Sequence, residues 1–142
     1  GKYPGVGKKT LINHKKAGVN FSDPQWMGFD HPVEMILMFR SETKIKSIDI
    51  GYLADPASWI FPPEEVVISI SENLKDFTEI QTLAFDGLTA MISAKPATTS
   101  ITLEKKAKAL KIEIKNLGGI PEWHEGKGTK AWMFLDELIF YE

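Results

Sequence analysis

The sequence predicts an all-β domain, an antiparallel β-sandwich or jelly roll, and three observations carry that prediction. Apolar residues recur at every second position in several short runs. Turn-forming pairs separate those runs, and almost nothing repeats with the helical period. Period-two alternation gives a strand one buried and one wet face, as in antiparallel sheets.

Each element follows in chain order. Residues 33–39 are apolar on both faces, which predicts a central strand or one beneath loops. Ile48, Ile50 and Tyr52 then share one strand face. Asp55-Pro56 and Pro62-Pro63 bound a short loop, because proline fixes φ and removes a ladder donor. Val66, Ile68 and Ile70 form the next apolar face, with Ser69 and Ser71 opposite. Asp86-Gly87 reads as a hairpin turn, Leu88–Ser93 as a weak strand, and Lys95-Pro96 as a break. Thr99–Leu103 is a short β-rich run. The composition of 103–112 favours a helix, but strict alternation of Leu110, Ile112 and Ile114 against Lys111, Glu113 and Lys115 predicts a turn at Glu104–Lys106 feeding a strand. Residues 131–141 are likewise apolar on both faces and read as a strand that is central or beneath loops.

Composition narrows the function classes. The 142 residues fit one domain, assigned here to 10–142 with 1–9 as an N-terminal extension. There is no cysteine, which excludes disulfides, thiolate chemistry and cysteine-bound zinc. Seventeen Lys+Arg against nineteen Asp+Glu give a net charge of -2, unlike the basic stripe of a nucleic-acid binder. The longest apolar run, Met35 to Phe39, is far below the ~20 residues of a membrane span.

No catalytic constellation is visible. The histidines His14, His31 and His124 fit no compact zinc motif, and no G-x-S-x-G elbow occurs. Asp136 and Glu137, as strand neighbours, point to opposite faces and make a poor acid–base dyad. Two long loops stand out instead. Residues 10–30 hold Asn20, Phe21, Asp23 and Trp26; residues 117–130 hold four glycines with Trp123 and His124. A sugar site needs an aromatic face and a few fixed polar groups, which Trp123 and His124 supply beside glycines. The competing reading makes Trp123 a cap on the core and the glycines simple turn formers. Trp26, Trp59 and Trp132 read as core. Phe61 reads either as an exposed loop aromatic or as core, and Asn20 and Asp55 as candidate hydroxyl partners.

Three pieces in order then resemble a known family: Asp23-Pro-Gln-Trp26-Met-Gly-Phe29; Ile48–Ser71 with Ser58-Trp59-Ile60-Phe61-Pro62; and Lys130-Ala-Trp132-Met-Phe-Leu-Asp136-Glu137-Leu138. Together they resemble a discoidin (coagulation-factor type C, galactose-binding-like) domain, of the kind appended to bacterial β-hexosaminidases (chitobiases) and other secreted glycosidases. SISENLKDFTEI resembles the family's S-x-D-G-x-x-F hairpin, with Leu74 where the family has glycine. The resemblance implies an eight-stranded jelly roll and a secreted, periplasmic or cell-surface location. It also implies a non-catalytic module that binds a glycan or sugar terminus beside the glycosidase domain of its parent chain. A purely structural or interdomain module is the alternative. No cofactor is required, although many relatives hold a structural Ca²⁺; Glu137 matches their C-terminal Glu ligand and Asp23 is the nearest loop acid.

Overall fold

The computed structural model describes residues 3–4, 18, 22, 25–85, 95–117, 119–120 and 124–142. Among these residues, seven strands form one hydrogen-bonded antiparallel network: β1 (Tyr3–Pro4), β2 (Met27–Phe29), β3 (Val33–Ala54), β4 (Glu65–Ser71), β5 (Thr78–Ala84), β6 (Lys95–Lys115) and β7 (Met133–Tyr141). Their order across the sheet is β1-β2-β7-β3-β6-β4-β5. The chain is nearly all β. Its helical content among the described residues is one 3₁₀ turn at Pro56–Ser58.

Two long strands organise the rest. β3 has 22 residues and β6 has 21, and they pair from Val33↔Ile114 to Ala54↔Lys95. Their inner ends lie with β7, β2 and β1, while β6's later residues carry β4 and β5. Residues from both halves meet in one cluster. Ile48, Ile50, Met133 and Leu135 from the first half pack with Val66, Ile68, Leu110 and Ile112 from the second. These eight side chains are fully buried, and burying each stabilises the fold by about 1.5–3 kcal/mol before entropy is counted.

The alternation over 48–52, 66–70 and 110–114 faces this core as expected. Four details differ from the sequence expectations. Residues 33–39 and 48–52 belong to a single strand, and so do 99–103 and 109–115. The turn expected at Glu104–Lys106 is a β-bulge: Leu103 and Glu104 face the single residue Lys46, with Glu104 at φ 50. Ser69 and Ser71 are buried, and the Ser71 hydroxyl donates to Asn73 Oδ1 at 3.1 Å. Finally, residues 33–39 are not central. Val33, Met35, Leu37 and Phe39 turn inward, whereas Glu34, Ile36, Met38 and Arg40 are exposed. The central reading does hold for β7, which lies between β2 and β3. The segment expected at Leu88–Ser93 and the turn at Asp86-Gly87 lie outside the described residues.

Candidate functional site

The short loop after β3 is built by proline and closed by backbone hydrogen bonds. Asp55 and Ile60 exchange N–H···O bonds at 2.9 and 3.0 Å, and Ser58 N–H donates to Asp55 O at 3.0 Å. Pro56 opens the 3₁₀ turn, where its fixed φ and missing N–H cost nothing. Trp59 ends that turn in the left-handed region, at φ 60 and ψ 31. Such a conformation strains a bulky residue by about 1–3 kcal/mol and persists only where neighbours enforce it. Here Trp59 N–H donates to Pro56 O at 2.9 Å, and Trp132 N–H donates to Trp59 O at 3.0 Å.

In this enforced conformation Trp59 is 40% exposed. His124, from the glycine-rich loop, meets it edge to face with ring centroids 6.2 Å apart. Gly126 fits beneath both, since a Cβ there would lie 3.1 Å from Trp59 Cε2 and 3.1 Å from His124 Nδ1. The His124 ring is fully engaged. Gly126 N–H donates to Nδ1 at 2.9 Å, so Nδ1 carries no proton; Nε2–H therefore donates to Pro56 O at 2.6 Å. His124 thus pins one loop to the other as a neutral ring. Five further bonds among the described residues close the glycine-rich loop, including Ile120 N–H to Thr129 O at 3.0 Å and Thr129 Oγ1 to Gly126 O at 2.6 Å.

The residues singled out from sequence fall unevenly around this loop end. Phe61 is buried, packed with Ile120 and Ala131 and edge to face with His124, so its exposed reading is corrected. A side chain 1% accessible offers no ligand surface. Asp55 is buried at the loop base, its backbone holding Ile60. His124 is next to Trp59, but both ring nitrogens serve the loops rather than a hydroxyl. Trp123, Asn20, Phe21 and Asp23 lie outside the described residues. Trp26 is core as expected, its indole N–H donating to Gly18 O at 2.9 Å; Trp132 is half-buried against the same cluster. Trp59 is the correction in the other direction. Sequence reading placed it in the core because it neighbours a strand, and no local pattern announces a left-handed tryptophan.

Glu137 and Asp136 are both buried, in a bulge where two β7 residues face Gly51 alone. Adjacent buried carboxylates are suitable donors for a hard cation. Among the described residues, no group of three or more acidic or histidine side chains comes together.

Comparison with solved structures adds the fold. The C-terminal domain of a chitobiase from Bacteroides fragilis is similar over 94% of this chain and 78% of its own, with 21% identity and a TM-score of 0.52. The chain shares that domain's fold. CBM32-3 from a family 31 glycoside hydrolase of Clostridium perfringens is matched over 78% of this chain and 66% of its own, at 18% identity and a TM-score of 0.44. A protein described as a glycoside hydrolase is matched over 76% of this chain, at 17% identity and a TM-score of 0.43. This chain spans 19% of that hydrolase's length. The sequence matches no protein-family model and no curated protein. No helix among the described residues is long and apolar enough to cross a membrane.

Proposed function

We propose that the chain is a non-catalytic carbohydrate-binding module of the discoidin, galactose-binding-like type, which holds a glycosidase near its glycan substrate. The observation that supports this most is the exposed Trp59, held in a strained conformation in a loop tied to His124. An indole presented on a rigid frame suits the C–H face of a pyranose, and little freedom is lost on binding. Trp59 and Trp123 are the stacking candidates, with Asn20 as a hydroxyl partner. Binding one sugar weakly suffices, because tethering converts it into a high local concentration of substrate. The fold of the chitobiase domain supports the assignment, and two strands running through both halves suit an eight-stranded jelly roll. The location would be secreted, periplasmic or cell-surface, and the partner a catalytic glycosidase domain. A structural Ca²⁺ would be held by Glu137 and Asp23.

The buried Phe61 and the internally bonded His124 favour one second reading, a loop end that packs against a neighbouring domain. A glycan array on the purified chain, followed by retention on the best-bound glycan, separates the two. On the sugar reading Trp59→Ala or Trp123→Ala abolishes retention with the fold intact by circular dichroism. Absence of binding to every glycan at high protein concentration favours the packing surface.

A further inference from the structure

We propose that a cavity at the β4–β5 hairpin is a second sugar-binding site, separate from the Trp59 loop and suited to a neutral oligosaccharide. The cavity measures about 480 Å³ and is lined by Ile70, Glu72, Asn73, Asp76, Thr78 and Ile80. That volume falls within the roughly 300–1,000 Å³ of small-molecule sites. β4 runs away from the Trp59 loop: Glu65 pairs with Lys115 beside the glycine-rich loop, whereas Ser71 pairs with Ala109. The seven residues of β4, rising about 3.3 Å each, set its two ends roughly 20 Å apart. One sugar unit cannot reach both.

Two local features shape the cavity. The β4–β5 ladder shifts between Ile68↔Gln81 and Ser69↔Glu79, which leaves Ile80 as an extra residue. A bulge re-aims side chains, and here Ile80 packs on the core while lining the cavity beside Ile70. The polar side is fixed from beneath. The hydroxyl of Ser71, a residue 2% exposed, donates to Asn73 Oδ1 at 3.1 Å. That oxygen also accepts from Lys75 and Asp76 N–H at 2.9 and 2.8 Å, and Asn73 Nδ2 donates to Asp76 Oδ2 at 2.8 Å. Asp76 is thereby held by one carboxylate oxygen. Among the described residues nothing takes its Oδ1, the Glu72 carboxylate or the Thr78 hydroxyl.

The lining selects the ligand class by exclusion. Among the described residues it has no Lys, Arg or His, so a phosphate, sulfate or uronate would meet two carboxylates and no cation. A wholly apolar ligand would strip water from Glu72, Asp76 and Thr78 without replacing their hydrogen bonds. A neutral sugar answers both surfaces, with C–H groups on Ile70 and Ile80 and hydroxyls donating to the carboxylates. The choice of sugar as ligand rests on the carbohydrate reading above; the position of the site does not.

The test is an amide NMR titration of the purified chain with neutral tetrasaccharides of β-linked glucose, galactose and N-acetylglucosamine. Tetrasaccharides of galacturonate and of glucosamine are the charged controls. With at least one neutral tetrasaccharide, amides of the hairpin around Asn73, Asp76 and Thr78 should shift saturably. Trp59→Ala should leave that hairpin Kd within about two-fold. Thr78→Val, which keeps the shape and removes a hydroxyl, should weaken it about five-fold, and Asp76→Ala about ten-fold. Thr78→Val decides if Asp76→Ala loosens the hairpin. Hairpin amides that no neutral tetrasaccharide moves overturn the site, and shifts confined to the loop end do so while sparing the Trp59 reading. Shifts confined to the hairpin have the opposite consequence. Hairpin shifts that vanish in Trp59→Ala also overturn the proposal, as does tighter binding of either charged control.

Discussion

Replacing Gly51 by alanine tests the bulge in β7 directly. Gly51 is buried in β3, opposite Asp136 and Glu137, and a Cβ placed on it would lie 2.0 Å from Asp136 Oδ1 and 3.1 Å from Cγ. Ordinary contact begins at 3.4 Å, so the carboxylate would have to retreat by about 1.4 Å. Asp136 is short and 2% exposed, which leaves it no open space to enter. Overpacking of this kind costs about 1–3 kcal/mol. Unfolding entropy near 2.1 cal/mol/K per residue gives about 0.3 kcal/mol/K for this chain, so calorimetry should show a fall of roughly 3–10 °C. Removing the obstructing group should relieve the strain: Gly51→Ala with Asp136→Ala should lose about 1 kcal/mol less than the sum of the single losses. Strict additivity, or a Gly51→Ala melting temperature within about 1 °C of the parent, would refute the steric argument.

Two further substitutions probe the loops. His124→Ala strands Gly126 N–H in a buried site, takes away one of the two donors to Pro56 O and removes ring contacts to Trp59 and Phe61, so a loss of about 2–4 kcal/mol is expected. Calorimetry should register this as a drop of roughly 7–13 °C, and near-ultraviolet circular dichroism as a loosened tryptophan signal; an unperturbed variant would dismiss the pin. Leu74, at φ 66 in the β4–β5 hairpin, pays a left-handed penalty that glycine avoids. Leu74→Gly should raise the melting temperature by roughly 2–3 °C and Leu74→Ala should not, whereas equal effects would rule out backbone strain.

Much of the sheet was legible because burial leaves a period-two trace. Ile48, Ile50, Val66, Ile68, Leu110 and Ile112 announced their strands and all lie in the core. Bulges leave no such trace. Nothing in the residue types distinguishes Glu104 as left-handed, or shows that Asp136 and Glu137 face one glycine together, since an extra residue shifts the register silently. Residues 33–39 misled for a different reason: Ile36 and Met38 have the composition of a covered face without being covered. At the loop end, the meeting of His124 with Trp59 joins segments 65 residues apart, and local pattern cannot report a contact of that span. The hairpin glycine missing at Leu74 was visible beforehand, and its positive φ shows why glycine suits that position.

The ribbon made by β3 and β6 also dictates how the chain must fold. Its innermost pair, Ala54↔Lys95, closes a loop of about forty residues, and its outermost, Val33↔Ile114, one of about eighty. Zipping from the inner end lets each new pair shorten the next closure, whereas starting at the outer end would meet the full entropy at once. β4 and β5 lie inside that closing loop, and β4 reaches its partner positions 109–115 only as the zipper passes them. So many distant pairings place folding in the slow range of all-β domains, on the order of milliseconds to seconds. The same threading makes unfolding collective: neither half can peel away without unzipping the two strands that run through both.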